Sequence, residues 1–414
     1  MRKCVQMNEI CVLGLGYIGL PTALMFASHG KQVVGVDTNQ GLLSKLRDGE
    51  VTFDEEGLKE LFSEALDNGI RFEYTCPKAQ YYILAVPTPF DNISKKIDPS
   101  YVVTATNNVL DVCPMGAVII IESTVSPGTL DKFVRPVIEQ RGFKIGEDVH
   151  LAHAPERIIP GRMIHELQKN ARTIGADSVE IGMKIRNIYA SFCNAEIVLT
   201  DIRTAEITKV VENTYRDVNI AFANELAKIC RQDNLNVYKI IKIANMHPRV
   251  NILQPGPGVG GHCISVDPWF LVGDYPMLSL LIHEARKIND SMPGFVLKRV
   301  HDILKENNMP KTAKVGFYGI TYKENVNDTR ESPTLQLYEL LQLHLSGSAL
   351  FYDPMCHTTT LTGQMHDFKD FVDACDLIVI MVGHEHILAN LSVIEGKFVL
   401  DTKNVCNLPG CYKL

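Results

Sequence analysis

The segment from Ile10 to Asp37 constrains the fold more than any other part of the chain. Ile10-Cys11-Val12-Leu13 is a short apolar run of the kind that becomes a buried strand. Gly14-Leu15-Gly16-Tyr17-Ile18-Gly19 follows at once, then a helical stretch from Leu20 to His29. A second strand, Gln32-Val33-Val34-Gly35-Val36, ends in Asp37. A GxGxxG run alone is weak evidence. Between a strand and a helix, with an acid eighteen residues after Gly19, it specifies a βαβ unit that binds a dinucleotide. Gly14, Gly16 and Gly19 permit the tight turn and the close approach of a pyrophosphate. That group sits on the helix N-terminus, where unpaired N–H groups point outward. Asp37 would accept hydrogen bonds from a ribose 2′-hydroxyl and repel a 2′-phosphate, which favours NAD over NADP.

Strands and helices keep alternating. Tyr81 to Val86 runs into Pro87-Thr88-Pro89, and Ala117 to Ile121 runs into Glu122-Ser123-Thr124-Val125-Ser126-Pro127-Gly128-Thr129. Val149 to Ala152 leads into His153-Ala154-Pro155-Glu156-Arg157. Ligands of open α/β sheets lie beyond the carboxyl ends of strands. The hydroxyls of Thr88, Ser123 and Thr124 are therefore candidate cofactor or substrate contacts, against the alternative that they cap helices or shape turns. Glu156 is a candidate base at such a strand end. Arg157 either binds an anion or pairs with an acid.

From Asp201 to Asp233 the chain reads as one long helix without proline or glycine. Ile202, Val210, Val211, Val218, Phe222, Leu226 and Ile229 cover much of it, which predicts burial against several neighbours. Lys209, Asn213 and Arg216, spaced by four and then three, share a stripe that is either solvated or turned toward a site. His247-Pro248-Arg249 is a turn that offers an anion-binding arginine. Then comes Pro255-Gly256-Pro257-Gly258-Val259-Gly260-Gly261-His262-Cys263, with Asp267 four residues beyond the thiol. Such a run is equally a plain turn with a small apolar cysteine, or a loop that displays a thiol for chemistry.

Lys314 to Gly319 opens a second strand-turn-helix pattern without GxGxxG, so a second dinucleotide is not indicated. Ala349 to Tyr352, Asp376 to Val382 and Phe398 to Leu400 are its further strands. Lys323, Arg330 and Lys403 fall near strand ends and are candidates for phosphates, or ordinary surface cations. The expected fold is α/β: two Rossmann-like doubly wound parallel-sheet domains joined by a central helical domain with one long helix. The expected boundaries are 1–200, 201–300 and 301–414.

Composition narrows the partners. With 414 residues and a net charge of −7, nucleic acid is disfavoured as the main partner. The 11 cysteines form no CxxC pair and no zinc-like Cys/His set, so neither a metal nor a disulfide framework is expected. Met1 to Glu9 has no apolar signal core and no apolar run reaches spanning length, so a soluble cytoplasmic protein is expected.

Taken together, the motifs resemble the UDP-glucose/GDP-mannose dehydrogenase family over essentially the whole chain. The resemblance rests on GLGYIGLP, VPTP, ESTVSPGT, PERxxPG, the Lys209/Asn213 helix, GVGGHC with Asp267, and YKENVNDTRESP. HPRVNILQPGPGVGGHCISVDPWF is most similar to members acting on UDP-N-acetyl-D-mannosamine. Members acting on UDP-glucose or GDP-mannose typically carry serine where this chain has His262. The resemblance implies a four-electron oxidation of a sugar C6 alcohol to a carboxylate, with two NAD⁺ reduced in succession. Cys263 would be the nucleophile, with Lys209, Asn213, Asp267 and Glu156 assisting. Tyr17, Ile18, Thr88 and Thr124 match cofactor contacts. Arg157, Ile158, Lys209, Asn213, Arg216, His247, Arg249, Gly260, Tyr322, Lys323, Arg330 and Lys403 match the nucleotide-sugar side. Pro160 replaces a second glutamate found in glucose-specific members. A homodimer through the long helix is implied as well, with Arg249 reaching the partner's site. The competing expectations are UDP-N-acetyl-D-glucosamine as substrate, a two-electron hydroxyacid-type dehydrogenase, and a non-catalytic nucleotide-sugar-binding regulator.

Overall fold

The computed structural model describes residues 8–53, 55–261, 263–344 and 349–414. His262, singled out above, lies outside the described residues, as does most of the Met1–Glu9 segment. The chain divides into two compact units, Met1–Glu212 and Asn213–Leu414.

In the first unit the apolar runs form β1 (Asn8–Leu13), β2 (Val33–Val36), β3 (Arg71–Glu73), β4 (Ala79–Leu84), β5 (Ala117–Ile121), β6 (Val149–His153), β7 (Arg172–Ala176) and β8 (Ile197–Thr200). They make one sheet in the order β3-β2-β1-β4-β5-β6-β7-β8. All of β2 and β5 is buried, as strands covered by helices on both faces must be. The helix Gly19–Ser28 is buried from Gly19 to Ala27. Chain order reverses between β1 and β4, and that switch point is where an open α/β sheet leaves a crevice for a ligand. β4 ends at Leu84, two residues before the expected Val86. Pro87 has no N–H to give the ladder, so the chain leaves the sheet ahead of it. One pairing breaks the parallel pattern: β7 runs antiparallel to β6, with Ala152 opposite Ala176 and His153 opposite Gly175.

The long helix spans Ile202–Gln232, 31 residues. Gly175 lets its first turn sit against β7, since a Cβ there would stand 2.6 Å from the Asp201 carbonyl oxygen. Ile202 and Val210 are buried as expected. Val211, Phe222 and Ile229 are not; they are 47%, 50% and 54% exposed. These three share a stripe with Ile207 and Tyr215, at spacings of four and seven, so the helix turns a whole apolar face outward.

In the second unit, helices Val237–Ala244, Asp267–Asp274, Leu280–Asp290 and Met292–Glu306 precede another sheet. Its strands are β9 (Val315–Tyr318), β10 (Leu350–Tyr352), β11 (Leu377–Ile380), β12 (Phe398–Asp401) and β13 (Tyr412–Lys413). All are parallel, in the order β10-β9-β11-β12-β13, the second common doubly wound arrangement. Two doubly wound sheets and one long helix are the expected fold class.

Candidate active site

At the end of β1 the chain turns on Gly14, whose φ is +89°. A Cβ on Gly14 would stand 2.5 Å from the Ala85 carbonyl oxygen, and one on Gly19 would stand 1.8 Å from the Gly14 oxygen. Any larger residue at either position breaks the turn. Gly16 instead has nothing within 4 Å of its missing Cβ, so the open side of the turn is free for a ligand. Ile18 is the N-cap of Gly19–Ser28, and Tyr17 packs on Phe53 with ring centroids 4.5 Å apart. Asp37 Oδ2 accepts from the Leu15 N–H at 2.8 Å and Oδ1 from the Asn39 N–H at 2.8 Å. That fixes the carboxylate beside the turn and leaves lone pairs for ribose hydroxyls. Such a cradle fits a dinucleotide.

The expected hydroxyls divide between structure and availability. Ser123 is buried and donates to the Leu84 and Val86 carbonyls. Thr88 donates to the Thr124 carbonyl at 2.7 Å, tying the ends of β4 and β5 together, while Thr124 itself is half-buried. After β6, His153 is buried, and burial pushes its pKa down to about 3, so it stays neutral. Glu156 is buried against Arg172, and Ile158 is buried too. Arg157 pairs with Glu212 at 2.6 Å and donates to the Ala171 carbonyl and Thr173 hydroxyl. Lys209 is buried on the long helix. One turn before it, Glu206 accepts from the Gly128 and Leu130 N–H groups at 2.6 and 2.9 Å, which fixes the end of the ESTVSPGT segment.

In the second unit the Cys263 loop is held mainly by amides of the long helix. Asn219 Oδ1 accepts from the Leu253 N–H at 3.1 Å, and Asn224 Oδ1 from the Gly256 N–H at 2.9 Å. Asn213 donates to Asp267 Oδ2 at 2.6 Å, both side chains being buried. Asp267 starts the helix Asp267–Asp274, and its N–H donates to the Cys263 carbonyl at 2.8 Å. Cys263 is exposed. Gly260 lies against Glu331, Tyr322 and Pro333, Gly261 lies against the Tyr322 ring, and the Gly261 N–H donates to the Arg330 carbonyl at 3.0 Å. The loop and the YKENVNDTRESP segment are thus one assembly, with Cys263, Asn213, Asp267, Gly260, Tyr322 and Arg330 as parts.

The remaining expected residues are more dispersed. Arg216, His247 and Arg249 are exposed, so the helix stripe splits into a buried Lys209/Asn213 pair and an exposed Arg216. Lys323 is half-buried. The Arg330 guanidinium pairs with Asp328 at 2.6 Å. Lys403 pairs with Glu324 at 3.5 Å and lines an open cavity of about 510 Å³ with Tyr238, Lys242, Asn245, Met246, Gln254 and Asn404. Sequence reasoning missed Asn219, Asn224, Glu206, Glu122 and Arg172. Each acts through a partner distant in sequence; Glu122 opens the ESTVSPGT segment, and no local motif marks the other four. Among the described residues no group of three His, Cys, Asp or Glu side chains could hold a metal ion, and no helix is long and apolar enough to cross a membrane.

Comparison with known proteins gives the family. Residues 8–193 match the NAD binding domain of the UDP-glucose/GDP-mannose dehydrogenase family, residues 203–291 its central domain and residues 316–408 its UDP binding domain. The chain is similar to the UDP-N-acetyl-D-mannosamine dehydrogenase of Methanococcus vannielii, with 41% identity over 97% of this chain and 94% of the relative. Among solved structures it resembles the UDP-N-acetyl-mannosamine dehydrogenase of Staphylococcus aureus, with 42% identity, a TM-score of 0.88 and 98% of each chain covered. It also resembles the UDP-D-ManNAc dehydrogenase of Pyrococcus horikoshii, with 37% identity, a TM-score of 0.90 and 98% of each chain covered. This chain belongs to the UDP-glucose/GDP-mannose dehydrogenase family and is an NAD-dependent nucleotide-sugar dehydrogenase.

Proposed function

We propose that this enzyme oxidises the C6 alcohol of UDP-N-acetyl-D-mannosamine to the carboxylate, giving UDP-N-acetyl-D-mannosaminuronate. The observation that carries the reading is the exposed Cys263 on a loop anchored by the buried Asn213–Asp267 pair, in a chain similar over nearly its full length to dehydrogenases named for this sugar nucleotide. Bound on the Gly14–Gly19 turn, NAD⁺ supplies the hydride acceptor for both oxidations. Tyr17, Ile18, Asp37, Thr88 and Thr124 hold it there. Lys209 and Asn213, one turn apart on one helix, stabilise the oxygen at C6 as it gains charge. The Cys263 thiolate adds to the aldehyde carbon and forms a thiohemiacetal, whose oxidation leaves a thioester. Asp267 orients the thiol and the water. Water then adds to the thioester carbon and Glu156 takes one of its protons. The C–S bond breaks with its electron pair on sulfur, and the carboxylate leaves with the remaining proton lost to solvent. Pro160 offers no second acid, so the hydrolytic proton falls to Glu156 alone.

In this reading residues 1–200 bind NAD, 201–300 carry catalysis and dimerisation, and 301–414 bind the UDP-sugar. Arg157, Ile158, Arg216, His247, Arg249, Gly260, Tyr322, Lys323, Arg330 and Lys403 receive the nucleotide sugar. A homodimer covers the outward stripe of Ile207, Val211, Tyr215, Phe222 and Ile229 on the long helix, a second copy being the partner expected for so long an apolar face. The enzyme works in the cytoplasm, where NAD and sugar nucleotides are available.

The test is NADH formation with UDP-N-acetylmannosamine, UDP-N-acetylglucosamine, UDP-glucose and GDP-mannose. Two NADH per UDP-N-acetylmannosamine is the expected result. One NADH per turnover, or a preference for the gluco epimer, would overturn it.

A further inference from the structure

Beside Glu156 stands a set of buried ionisable groups that the proposed reaction leaves without a role. Glu122 follows β5, Glu156 follows β6, and Arg172 is the first residue of β7. The reversal of β7 is what brings them together. Its register, Ala152 with Ala176 and His153 with Gly175, extends to put Arg172 level with Glu156 beyond the carboxyl end of β6. A parallel β7 would have started at the amino end of β6 instead. Arg172 donates to Glu156 Oε2 at 2.6 Å and to Glu122 Oε1 at 3.0 Å. Tyr189 donates to Glu122 Oε1 at 3.1 Å, and the guanidinium lies 4.3 Å over the Tyr189 ring. Arg172, Glu122 and Glu156 are 4%, 0% and 6% exposed. Cys193 and the Arg157–Glu212 pair complete the polar surroundings.

Two carboxylates on one guanidinium out of water are a poor device for stability, because desolvation costs about as much as the pairing returns. Burial pushes the Glu122 carboxyl up to about 7 in spite of Arg172. What the cluster does achieve is geometry. Glu156 Oε2 is tied to Arg172 and Oε1 to the Arg157 N–H at 2.5 Å, so the carboxylate plane is fixed from two sides. Each oxygen retains a lone pair for a further donor.

We propose that Arg172 is a positioning residue that fixes the orientation of Glu156 for proton removal from the hydrolytic water, with Glu122 holding Arg172 from its other side. The proposal rests on Glu156 being the base for thioester hydrolysis. In that step oxygen adds to the thioester carbon, one proton goes to Glu156, the C–S bond breaks toward sulfur, and the second proton is lost as the carboxylate forms.

The experiment compares E156Q, R172K, R172Q and the R172Q/E156Q double variant. Each is mixed with NAD⁺ and UDP-N-acetylmannosamine, quenched in acid and weighed by mass spectrometry for an adduct on Cys263. Lysine keeps the charge but cannot hold both carboxylates in a fork. The expected result is that R172K and R172Q slow hydrolysis about 10- to 100-fold, as small misplacements of a catalytic group do. The adduct then accumulates, KM for both substrates is unchanged, and R172Q costs nothing further once E156Q is present. Folded Arg172 variants with no adduct and normal turnover would overturn the proposal while leaving Glu156 as base. Full activity in E156Q would instead overturn the underlying reading. Should R172Q fail to fold, R172K decides alone, and additive losses in the double variant also count against the proposal.

Discussion

Cys263 and Asp37 show how differently two key residues are supported. Cys263 stands exposed on a glycine loop, and its placement is the work of others: Asn213, Asn219, Asn224 and the Tyr322 ring. Cys263→Ser should therefore leave nucleotide-sugar affinity intact by calorimetry while net turnover is lost. Retained turnover in that variant would rule out covalent catalysis. Asp37 is held by the very turn it serves. Asp37→Ala should weaken NAD binding about 10- to 100-fold, the worth of one or two hydrogen bonds to a charged group, and relax discrimination against NADP. A binding titration that gives an unchanged NAD affinity would contradict the assignment. Asp37 was legible in the sequence because its signal is local: strand, glycine turn, helix, strand, acid. Arg172 and Glu206 were not, since their partners lie 50 and 78 positions away and look like ordinary charged residues until the chain folds.

At the scale of the element, the long helix was predicted to within a residue at each end, because an unbroken run of helix formers needs no tertiary context to be recognised. Val211, Phe222 and Ile229 are not covered within the single chain, since apolar coverage reports that a face is sticky and not what meets it. The strand β7 went unpredicted, and with it the reversal that aligns Arg172 with Glu156; direction within a sheet leaves no trace in a five-residue run. The first turns of the long helix carry a pH-dependent contribution. Burial raises the Glu206 carboxyl to about 7 against the opposing Leu130 and Gly128 N–H groups. Its folded value lies above the unfolded one, so the contribution is fully present below the ordinary glutamate range, near 4.3, and is lost as pH rises through 7. Thermal stability should accordingly fall between pH 5 and pH 8. Glu206→Gln, which cannot ionise, should flatten that decline in melting curves recorded at the two pH values; an equal decline would show that the carboxyl does not titrate there.

For the whole molecule, the two sheets repeat one idea with different outcomes. Asp353, after β10, takes the place relative to the β9 turn that Asp37 takes relative to the β1 turn, accepting from the Ile320 and Thr321 N–H groups at 2.5 and 2.9 Å. Its carboxylate also receives the Thr321 hydroxyl, the Met355 N–H and a contact from His384 Nε2, and it is 3% exposed. Four of these donors fall on Oδ2, and burial keeps the remaining lone pair on Oδ1 out of a ribose's reach. The doubly wound pattern of both sheets was readable from alternation, but this spent acid was not, because only its neighbours reveal it. Its consequence is one of timing. With one usable dinucleotide cradle among the described residues, the proposed reaction must empty and refill it between the two oxidations of a single sugar, and a half-oxidised aldehyde would have that whole interval in which to diffuse away. In the proposed reaction the covalent tether to Cys263 is then a retention device as much as a catalytic one. Hydroxylamine in the bulk, a trap for free aldehydes, should intercept none of the sugar during turnover, and recovery of a sugar oxime would show that the intermediate escapes.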